Sequence, residues 1–596
     1  MKKTFVLSAI AATVLISVIA CGDEPNDVAD EIQQENLEDS IVYETNNTRY
    51  NTRGIEAREI DFHTTTPVQN KAAYVTSQCY TKTQDDQLAT YNPCFSCHID
   101  SQEPNYIDDW DLQQAYAFGE YTKINRFTNL FKDRTELVAQ ISDEEIEEYV
   151  QENNYMQQGE ILLKHKLQNV PQEWDVDGDG KWGGYTPDCY FNFDSEGFDK
   201  DPNGEYTLWR AFAYYPFLGT FWPTNGSTDD VLIRLHKDFA KNSTGEFDLN
   251  IYKLNLSIVE ALIKQEDVVI DTVDESLYGV DLNQNGLLDH ASKVVYKWEK
   301  PSYDSATNMI ADFSMSYVGL AKVKLATNEY LIAPGLYPKE TEFLHSVRYI
   351  QTQESSVSMA SRMKELRYAK KVQWASYRQL ANAALSELRE KEAFPDRVRT
   401  VIGNTEVGVV NDLGWVYQGF IEDAKGELRP QNYEETLYCV GCHSGIGATV
   451  DSSFVFSRKF DTNATMQGWY HWTQNEQGFK SIKEPQTLDG RGEYTLYLQQ
   501  NRAGDEFRCN TEVMEKFFLE DGSIKEDALS TMQEDISYLI LPSQQRALEL
   551  NKAYKIIVEE QSFIYGRDAH VKPLENVHRE VEVGQATQLE AVRYSK

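Results

Sequence analysis

Two copies of the pattern Cys-x-x-Cys-His are the residues of this chain best suited to chemistry. The first copy occupies residues 94–98 and the second occupies residues 439–443. In each copy the spacing brings two thiols within reach of one bound group, and the imidazole that follows adds a nitrogen ligand. Such a set can hold a prosthetic group covalently, bind zinc, or cycle between a dithiol and a disulfide.

Both pentapeptides resemble the attachment motif of c-type cytochromes. In that family the two thiols add to the vinyl groups of one haem, and the histidine ligates its iron. The resemblance covers only the two pentapeptides, and a dithiol redox pair or a zinc site is the alternative. It implies two covalently bound haem c groups, with these attachment and proximal-ligand residues: Cys94, Cys97, His98, Cys439, Cys442 and His443.

The sixth ligand of each iron has to come from another part of the chain. His345 lies in the apolar stretch Phe-Leu-His-Ser-Val, and His471 lies between Tyr470 and Trp472 in an aromatic setting suited to a haem wall. The sequence therefore predicts His345 and His471 as haem-binding residues. Met466 is the alternative type of ligand, and a methionine would raise the reduction potential relative to histidine.

The N-terminal segment predicts export and lipid attachment. Lys2 and Lys3 precede an apolar run that is short for a membrane span and ends in Val-Ile-Ala-Cys. This ending resembles the lipobox of bacterial lipoproteins, which implies cleavage before Cys21 and lipid on that cysteine, with an ordinary signal peptide as the alternative. We therefore expect a protein anchored in the bacterial cell envelope, in the periplasm or at the outer membrane and cell surface.

Three cysteines have no role in the haem motifs or the lipid anchor. They are Cys79, Cys189 and Cys509. An oxidising compartment permits one disulfide among three thiols, and Cys79 with Cys189 is the pair we expect.

Two loops carry oxygen ligands at alternate positions. Asp175, Asp177 and Asp179 resemble the start of an EF-hand calcium loop. At position twelve the pattern requires glutamate and this chain has Thr186, so Asp188 is the candidate substitute. The second loop resembles a short calcium loop or a plain Asn-Gly turn, and it contains Asp281, Asn283, Asn285 and Asp289. The sequence thus predicts one or two structural Ca²⁺ ions.

The charge of the chain restricts its partners. Lysine and arginine number 57 against 95 aspartate and glutamate residues, which gives a net charge of −38. Such a chain is repelled by nucleic acid and by anionic lipid surfaces, so we expect membrane contact only through the N-terminal lipid. The expected partners are a redox protein or a small-molecule electron donor or acceptor.

The pattern of hydrophobic residues predicts a multidomain α+β fold. Mainly helical haem-binding segments at residues 61–170 and 399–596 flank a β-rich lobe at 171–350 and a long helix within 351–398, which the apolar spacing places at 357–393. Residues 1–21 are assigned to the signal peptide and residues 22–60 to an acidic tether. A hairpin is predicted at residues 415–429, directly before the second motif.

The leading functional hypothesis is an envelope-anchored di-haem cytochrome that transfers electrons between redox partners. The alternative is a di-haem oxidoreductase with one open coordination position. Bacterial di-haem cytochrome c peroxidases also carry two such motifs, although in this chain the motifs are 345 residues apart (439 − 94).

Overall fold

An antiparallel sheet of ten strands organises the protein. The structure, a computed structural model, describes residues 53–84, 90–91, 93–107, 109–218, 223–353, 356–460, 465–474, 479, 481–487, 489–501 and 509–586. The predicted signal peptide, Cys21 and most of the acidic tether lie outside these residues. From Thr48 onward the chain forms one compact unit.

Thirteen α-helices lie in the described residues. They are α1 (Thr135–Val138), α2 (Asp143–Gln151), α3 (Leu162–Gln168), α4 (Leu249–Lys264), α5 (Gly319–Ala326), α6 (Tyr377–Ala393), α7 (Tyr433–Cys442), α8 (Val455–Arg458), α9 (Glu493–Asn501), α10 (Thr511–Phe517), α11 (Glu526–Glu534), α12 (Ser537–Ile540) and α13 (Gln544–Glu560).

Eighteen strands lie in the same residues. They are β1 (Thr83–Gln84), β2 (Thr90–Tyr91), β3 (Met156–Gln157), β4 (Glu160–Ile161), β5 (Phe198–Lys200), β6 (Tyr206–Ala211), β7 (Thr228–Asp229), β8 (Leu232–Arg234), β9 (Val268–Asp274), β10 (His290–Val294), β11 (Ser302–Asp304), β12 (Met309–Ala311), β13 (Glu342–Gln353), β14 (Ser356–Lys371), β15 (Ile402–Asn404), β16 (Gly408–Val410), β17 (Trp415–Glu422) and β18 (Leu428–Pro430).

The large sheet has the order β15-β16-β17-β14-β13-β8-β6-β5, with β18 paired to β17 and β7 paired to β13. Its strands come from residues 198–430, so it draws on the predicted β-rich lobe, the predicted long helix and the start of the C-terminal haem segment. One face packs on a core that includes Phe343 and Tyr417, and the other packs on a core that includes Leu344 and Phe420. The α+β fold class is confirmed.

The long helix predicted at residues 357–393 is wrong in its first half. Residues 356–371 form β14, and the helix is α6, which starts after a capping box between Ser376 and Gln379. β14 lies between β13 and β17 and is buried on both faces, so its apolar spacing does not distinguish a strand from a helix. Its buried charges are held by tertiary contacts, as when Arg362 binds Glu422 at 2.5 Å.

Candidate functional site

The first motif lies on a short turn next to a second short turn. Residues Pro93–Ser96 form a 3₁₀ turn, and the His98 N–H donates to the Cys94 carbonyl at 2.8 Å. The His98 Nδ1 atom lies 2.6 Å from Asp109 Oδ2, and Gln113 Nε2 donates to the His98 carbonyl at 2.7 Å. Asp109 and Gln113 therefore fix both the ring and the main chain of His98, which directs Nε2 to act as the ligand atom.

The second motif ends helix α7. Asn432 and Glu435 form a capping box at the start of the helix, and Cys439 and Cys442 face the same side because they are three residues apart. His443 follows the last turn, and its Nδ1 lies 3.0 Å from the Ser452 carbonyl oxygen. The ring also stacks on Tyr417 at a centroid distance of 5.3 Å. Here too Nδ1 is occupied and Nε2 is the nitrogen left for a metal.

The two motifs are part of one site despite their separation in sequence. Asp109 Oδ1 accepts a hydrogen bond from the Gly447 N–H at 3.1 Å, so the carboxylate that holds His98 also holds the loop after the second motif. The Ala448 N–H donates to the Cys97 carbonyl at 2.9 Å. A Cβ atom on Gly447 would lie 1.9 Å from the Ile99 carbonyl oxygen, so this close approach requires glycine.

His345 lies on strand β13 of the large sheet, and His443, which follows helix α7, lies near it. His345 is directly opposite Arg367 on β14, and directly opposite residues share one face of a sheet. Burial lowers the pKa of His345 to about 3, and the charges of His443 and Arg367 act in the same direction. Burial also lowers the pKa of His443 to about 4, although the Ser452 carbonyl opposes this. Both rings are therefore neutral at pH 7, the form in which imidazole ligates metals.

His345 and His443 lie deep in the protein, yet both side chains are partly accessible to solvent. Burial dominates the pKa of each ring, yet both residues keep intermediate solvent exposure. Tyr417 and Phe454 add aromatic rings next to His443, with Phe454 at a centroid distance of 5.4 Å. This environment suits a flat apolar group held between imidazoles.

The motif thiols fit covalent attachment better than the alternatives. Burial raises the pKa of Cys97 to about 12 and raises the pKa of Cys94, Cys439 and Cys442 above the usual range. Redox and zinc chemistry both use thiolates, which burial disfavours, whereas a thioether carries no charge. In the described residues, no cysteine belongs to a group of three or more metal-ligand side chains with ligand atoms within 4.8 Å. Two thiols and one imidazole in each motif are the donor set that covalent haem attachment requires.

His471 is placed differently from the expectation. Its Nε2 lies 3.0 Å from Asp230 Oδ2 and its Nδ1 lies 2.5 Å from Thr473 Oγ1, so protein atoms occupy both nitrogens. The Asp230 carboxylate also accepts from the Ser346 N–H at 2.6 Å. Successive strand residues point to opposite faces, which puts the Ser346 side chain across the sheet from His345. Both ring nitrogens of His471 thus have protein partners, and its role as a haem-binding residue stays a prediction.

The expected disulfide is absent from the described residues. Cys79 and Cys189 are free thiols. Cys189 lies in the core on the far face of the sheet, whereas Cys79 is close enough to Cys94 and Cys97 to raise the pKa of both after burial itself. Cys509 donates to Asn576 Oδ1 at 2.8 Å. Two of these thiols thus belong to different parts of the fold, which excludes the pair Cys79–Cys189.

The first acidic loop acquires a carboxylate that the sequence pattern lacks. Ligand oxygens of Asp175, Asp177 and Glu406 lie within 4.8 Å of one another. Glu406 is 2% exposed and accepts from the Val176 N–H at 3.0 Å and the Gly183 N–H at 2.7 Å. Asp179 lies outside this group and accepts from Lys181 N–H at 2.8 Å.

The substitute expected at position twelve is wrong. Asp188 Oδ2 binds Arg234 at 2.6 Å, and Asp188 Oδ1 accepts from the Trp209 indole at 2.9 Å. Those contacts hold the Asp188 carboxylate to the sheet, away from the loop. Glu406, which is 231 residues after Asp175 (406 − 175), supplies the missing carboxylate.

The second loop is closed by its own hydrogen bonds. Asp281 Oδ2 accepts from the Gly286 N–H at 2.8 Å, and the side-chain amides of Asn283 and Asn285 lie 3.5 Å and 3.1 Å from Asp289 Oδ1. Buried Glu275 accepts from the Leu282 N–H at 2.6 Å. This arrangement is a complete turn by itself, and the calcium expectation for this loop stays a prediction.

Three residues that position the site carry no sequence signal of their own. Asp109 stands eleven residues after His98 in no motif, and Ser452 contributes only its main-chain carbonyl. Glu406 follows Thr405 in a stretch without any metal pattern. For Glu406, the incomplete calcium loop at Asp175 was the one feature that could have prompted a search for a further carboxylate.

Comparison with known proteins identifies the family. The model of a family described as “-like lipoprotein” matches residues 63–538, a span that contains both Cys-x-x-Cys-His motifs. This chain belongs to that lipoprotein family. An uncharacterized lipoprotein of Aquifex aeolicus (strain VF5) is 32% identical over 547 residues, covering 83% of this chain and 85% of the relative. No solved structure matches the chain.

The family agrees with the lipobox at residues 18–21. Membership is consistent with an envelope-associated protein anchored by lipid. In the residues that the structure describes, no helix is both long and apolar enough to cross a bilayer.

Proposed function

We propose that this lipoprotein is a di-haem c-type cytochrome that transfers electrons between redox partners in the bacterial cell envelope. Haem c supplies reversible one-electron chemistry when it is bound. Cys94 and Cys97 would attach one group with His98 as the proximal ligand. Cys439 and Cys442 would attach the other, with His443 as its proximal ligand. Cys21 would carry the lipid, which leaves the body free in the periplasm or at the cell surface.

The observation that carries the proposal is the link from His98 through Asp109 to Gly447. Asp109 contacts both the histidine of the first motif and the loop that follows the second, at 2.6 and 3.1 Å. Haems attached at the two motifs would therefore belong to one site, which would favour electron transfer between them. Because the separation in sequence is large, a shared site favours a relay over two independent domains.

His345 supports a relay at the second motif. Its neutral imidazole faces the same region as His443, which suits a sixth ligand. A six-coordinate iron has no open position for a substrate, and its small structural change on reduction suits rapid electron transfer.

One observation favours the alternative, a di-haem oxidoreductase. Asp229 is paired to Val347 on β13, close to His345, and the Tyr214 hydroxyl donates to its carboxylate. Burial raises the pKa of Asp229 to about 7, with the Tyr214 hydrogen bond opposing. A carboxylate of that pKa is suited to general acid–base catalysis near neutral pH.

We also propose a structural Ca²⁺ at the first acidic loop, held by Asp175, Asp177 and Glu406. Hard carboxylate oxygens are the ligands that calcium prefers. The ion would join the loop to the turn after β15 and so pin residues that are far apart in sequence.

Intact mass and low-temperature electron paramagnetic resonance test the function. After expression with a haem-attachment system, the protein should gain the mass of two haems, and the Cys439→Ala/Cys442→Ala variant should gain one. The oxidised protein should give only low-spin ferric signals. No mass gain with all four motif cysteines intact would end the haem proposal. A high-spin signal with cyanide or peroxide binding would favour the oxidoreductase.

A further inference from the structure

The two proximal histidines have partners of different charge. His98 Nδ1 faces a carboxylate, Asp109 Oδ2, at 2.6 Å, while His443 Nδ1 faces a neutral carbonyl, that of Ser452, at 3.0 Å. Both side chains of the first pair are largely buried, with 19% exposure for His98 and 15% for Asp109. Solvent therefore screens this charged contact only in part.

A carboxylate partner changes the ligand more than a carbonyl does. It draws the Nδ1 proton toward itself, which makes Nε2 more basic and increases its donation to the metal. Stronger donation and nearby negative charge both stabilise the ferric state, and this lowers the reduction potential. A neutral carbonyl also orients the ring, but it changes the basicity of Nε2 and the reduction potential less.

The surroundings of His443 act in the opposite direction. Arg367 lies close enough to lower the pKa of His443 after burial itself. Arg367 and Arg567 both bind the carboxylate of Glu365, at 2.9 and 2.7 Å, which fixes the Arg367 guanidinium in this region. Positive charge next to an iron stabilises its ferrous state and raises the potential.

The position of Asp109 is specific to this role. It is the residue before the 3₁₀ turn Trp110–Gln113, where an aspartate side chain usually caps the turn, yet it makes no capping hydrogen bond. Its two oxygens instead bind His98 and the Gly447 N–H. The carboxylate is thereby fixed in place, and its oxygens make no capping hydrogen bond to the turn.

We infer that Asp109 is a positioning residue that gives the haem of the first motif a lower reduction potential than the haem of the second. This difference favours electron transfer from the first haem to the second. An electron shared within the protein then resides mainly at the His443 side: the first iron is oxidised and the second is reduced by one electron. This inference rests on the proposed function, because it requires both haems.

Potentiometric titration of the full-length, haem-loaded protein tests the inference. The Asp109→Asn variant should shift the sharing of an electron between the two haems at least tenfold toward the first, about 59 mV for a one-electron couple. Asp109→Glu keeps the carboxylate and should restore the wild-type order of potentials. Asp111→Asn is the matched control, because Asp111 is an exposed acid on the same turn, and it should leave both potentials unchanged.

The single-haem variants Cys94→Ala/Cys97→Ala and Cys439→Ala/Cys442→Ala assign each potential to its motif. Wild-type protein in which the first haem has the higher potential would overturn the inference, even if Asp109→Asn does not fold. An Asp109→Asn protein that keeps two haems and titrates like the wild type would overturn it too. A wild-type protein without covalent haem would instead contradict the proposed function.

Discussion

A histidine can act as a ligand only if one of its ring nitrogens remains available. In both motifs a protein oxygen occupies Nδ1 of the proximal histidine and leaves Nε2 as the ligand atom. His345 is neutral, deep and beside His443, whereas His471 has both nitrogens hydrogen-bonded on the other face of the sheet. We therefore expect a ligand role for His345 and a structural role for His471.

Replacing His345 should change the spin state of the second haem. His345→Ala removes the imidazole expected as sixth ligand, so part of the low-spin ferric signal should convert to high spin. Added imidazole should restore the low-spin signal, because the variant leaves room for it next to His443. Electron paramagnetic resonance of the oxidised protein measures both effects.

His471→Gln is the control for that change. Its contacts to Asp230 and Thr473 are structural, so the variant should keep the wild-type signals even where it melts at a lower temperature. A conversion in His471→Gln but not in His345→Ala would reverse the assignment of the two histidines.

Secondary-structure elements carry the site residues to one place. Helix α7 ends at Cys442 and presents both thiols of the second motif on one side. Strand β13 brings His345 to the same region, and the turn before β16 brings Glu406 under the acidic loop. These elements are rigid because neighbours in the sheet and core fix them, so a group bound at the site would keep a constant ligand geometry.

Glu406→Gln should weaken calcium binding at the first loop. The substitution keeps the size of the side chain and removes the buried negative charge, so the affinity for Ca²⁺ should fall at least tenfold. Titration with Ca²⁺, metal analysis and thermal melting measure the effect. In wild-type protein a chelator should lower the melting temperature, because an ion that binds only the folded state stabilises it.

Glu173→Gln provides the matched control for the loop. Glu173 is exposed and lies two residues before Asp175, so its neutralisation should leave the affinity for Ca²⁺ close to that of the wild type. Equal calcium content in Glu406→Gln and wild-type protein would contradict the site.

The whole molecule contains a tight contact between its N-terminal segment (61–170) and its C-terminal segment (399–596). Gly441 and Gly447 lie where residues from the first segment meet the second, and a Cβ atom would be 1.6 Å from the Tyr74 carbonyl oxygen or 1.9 Å from that of Ile99. These backbone carbonyls cannot move aside to admit a Cβ atom, whereas the end of a flexible side chain can. The contact between the segments thus depends on two residues that have no side chain.

Gly447→Ala should destabilise the fold by about 1–3 kcal/mol through overpacking. It should also weaken the contact of Asp109 with the second loop and reduce the yield of protein with two haems. Gly445→Ala is the control, because its Cβ meets the Cδ1 atom of Ile107, the movable end of a side chain, at 2.6 Å. Thermal melting and intact mass compare the variants, and equal stability of the two would contradict a rigid contact here.

Local pattern was sufficient for several features. The hairpin of β17 and β18 follows its turn residues, and the Cys-x-x-Cys-His spacing keeps two thiols and one imidazole within five residues. In each case the interactions that decide the structure lie within a few residues along the chain. For the same reason the lipobox, now supported by the family, could be recognised without any fold.

Contacts between distant residues decided the rest. Ser356–Lys371 is a strand because β13 and β17 cover it on both sides, and His345 rather than His471 lies beside His443 because the alternation of β13 sends adjacent residues to opposite faces. Asp109 and Glu406 act on partners 338 and 231 residues away (447 − 109 and 406 − 175). The sequence by itself determined which side chains of each motif could act as ligands. Only the tertiary structure decided that both motifs share one site, because packing depends on distance in space and not along the chain.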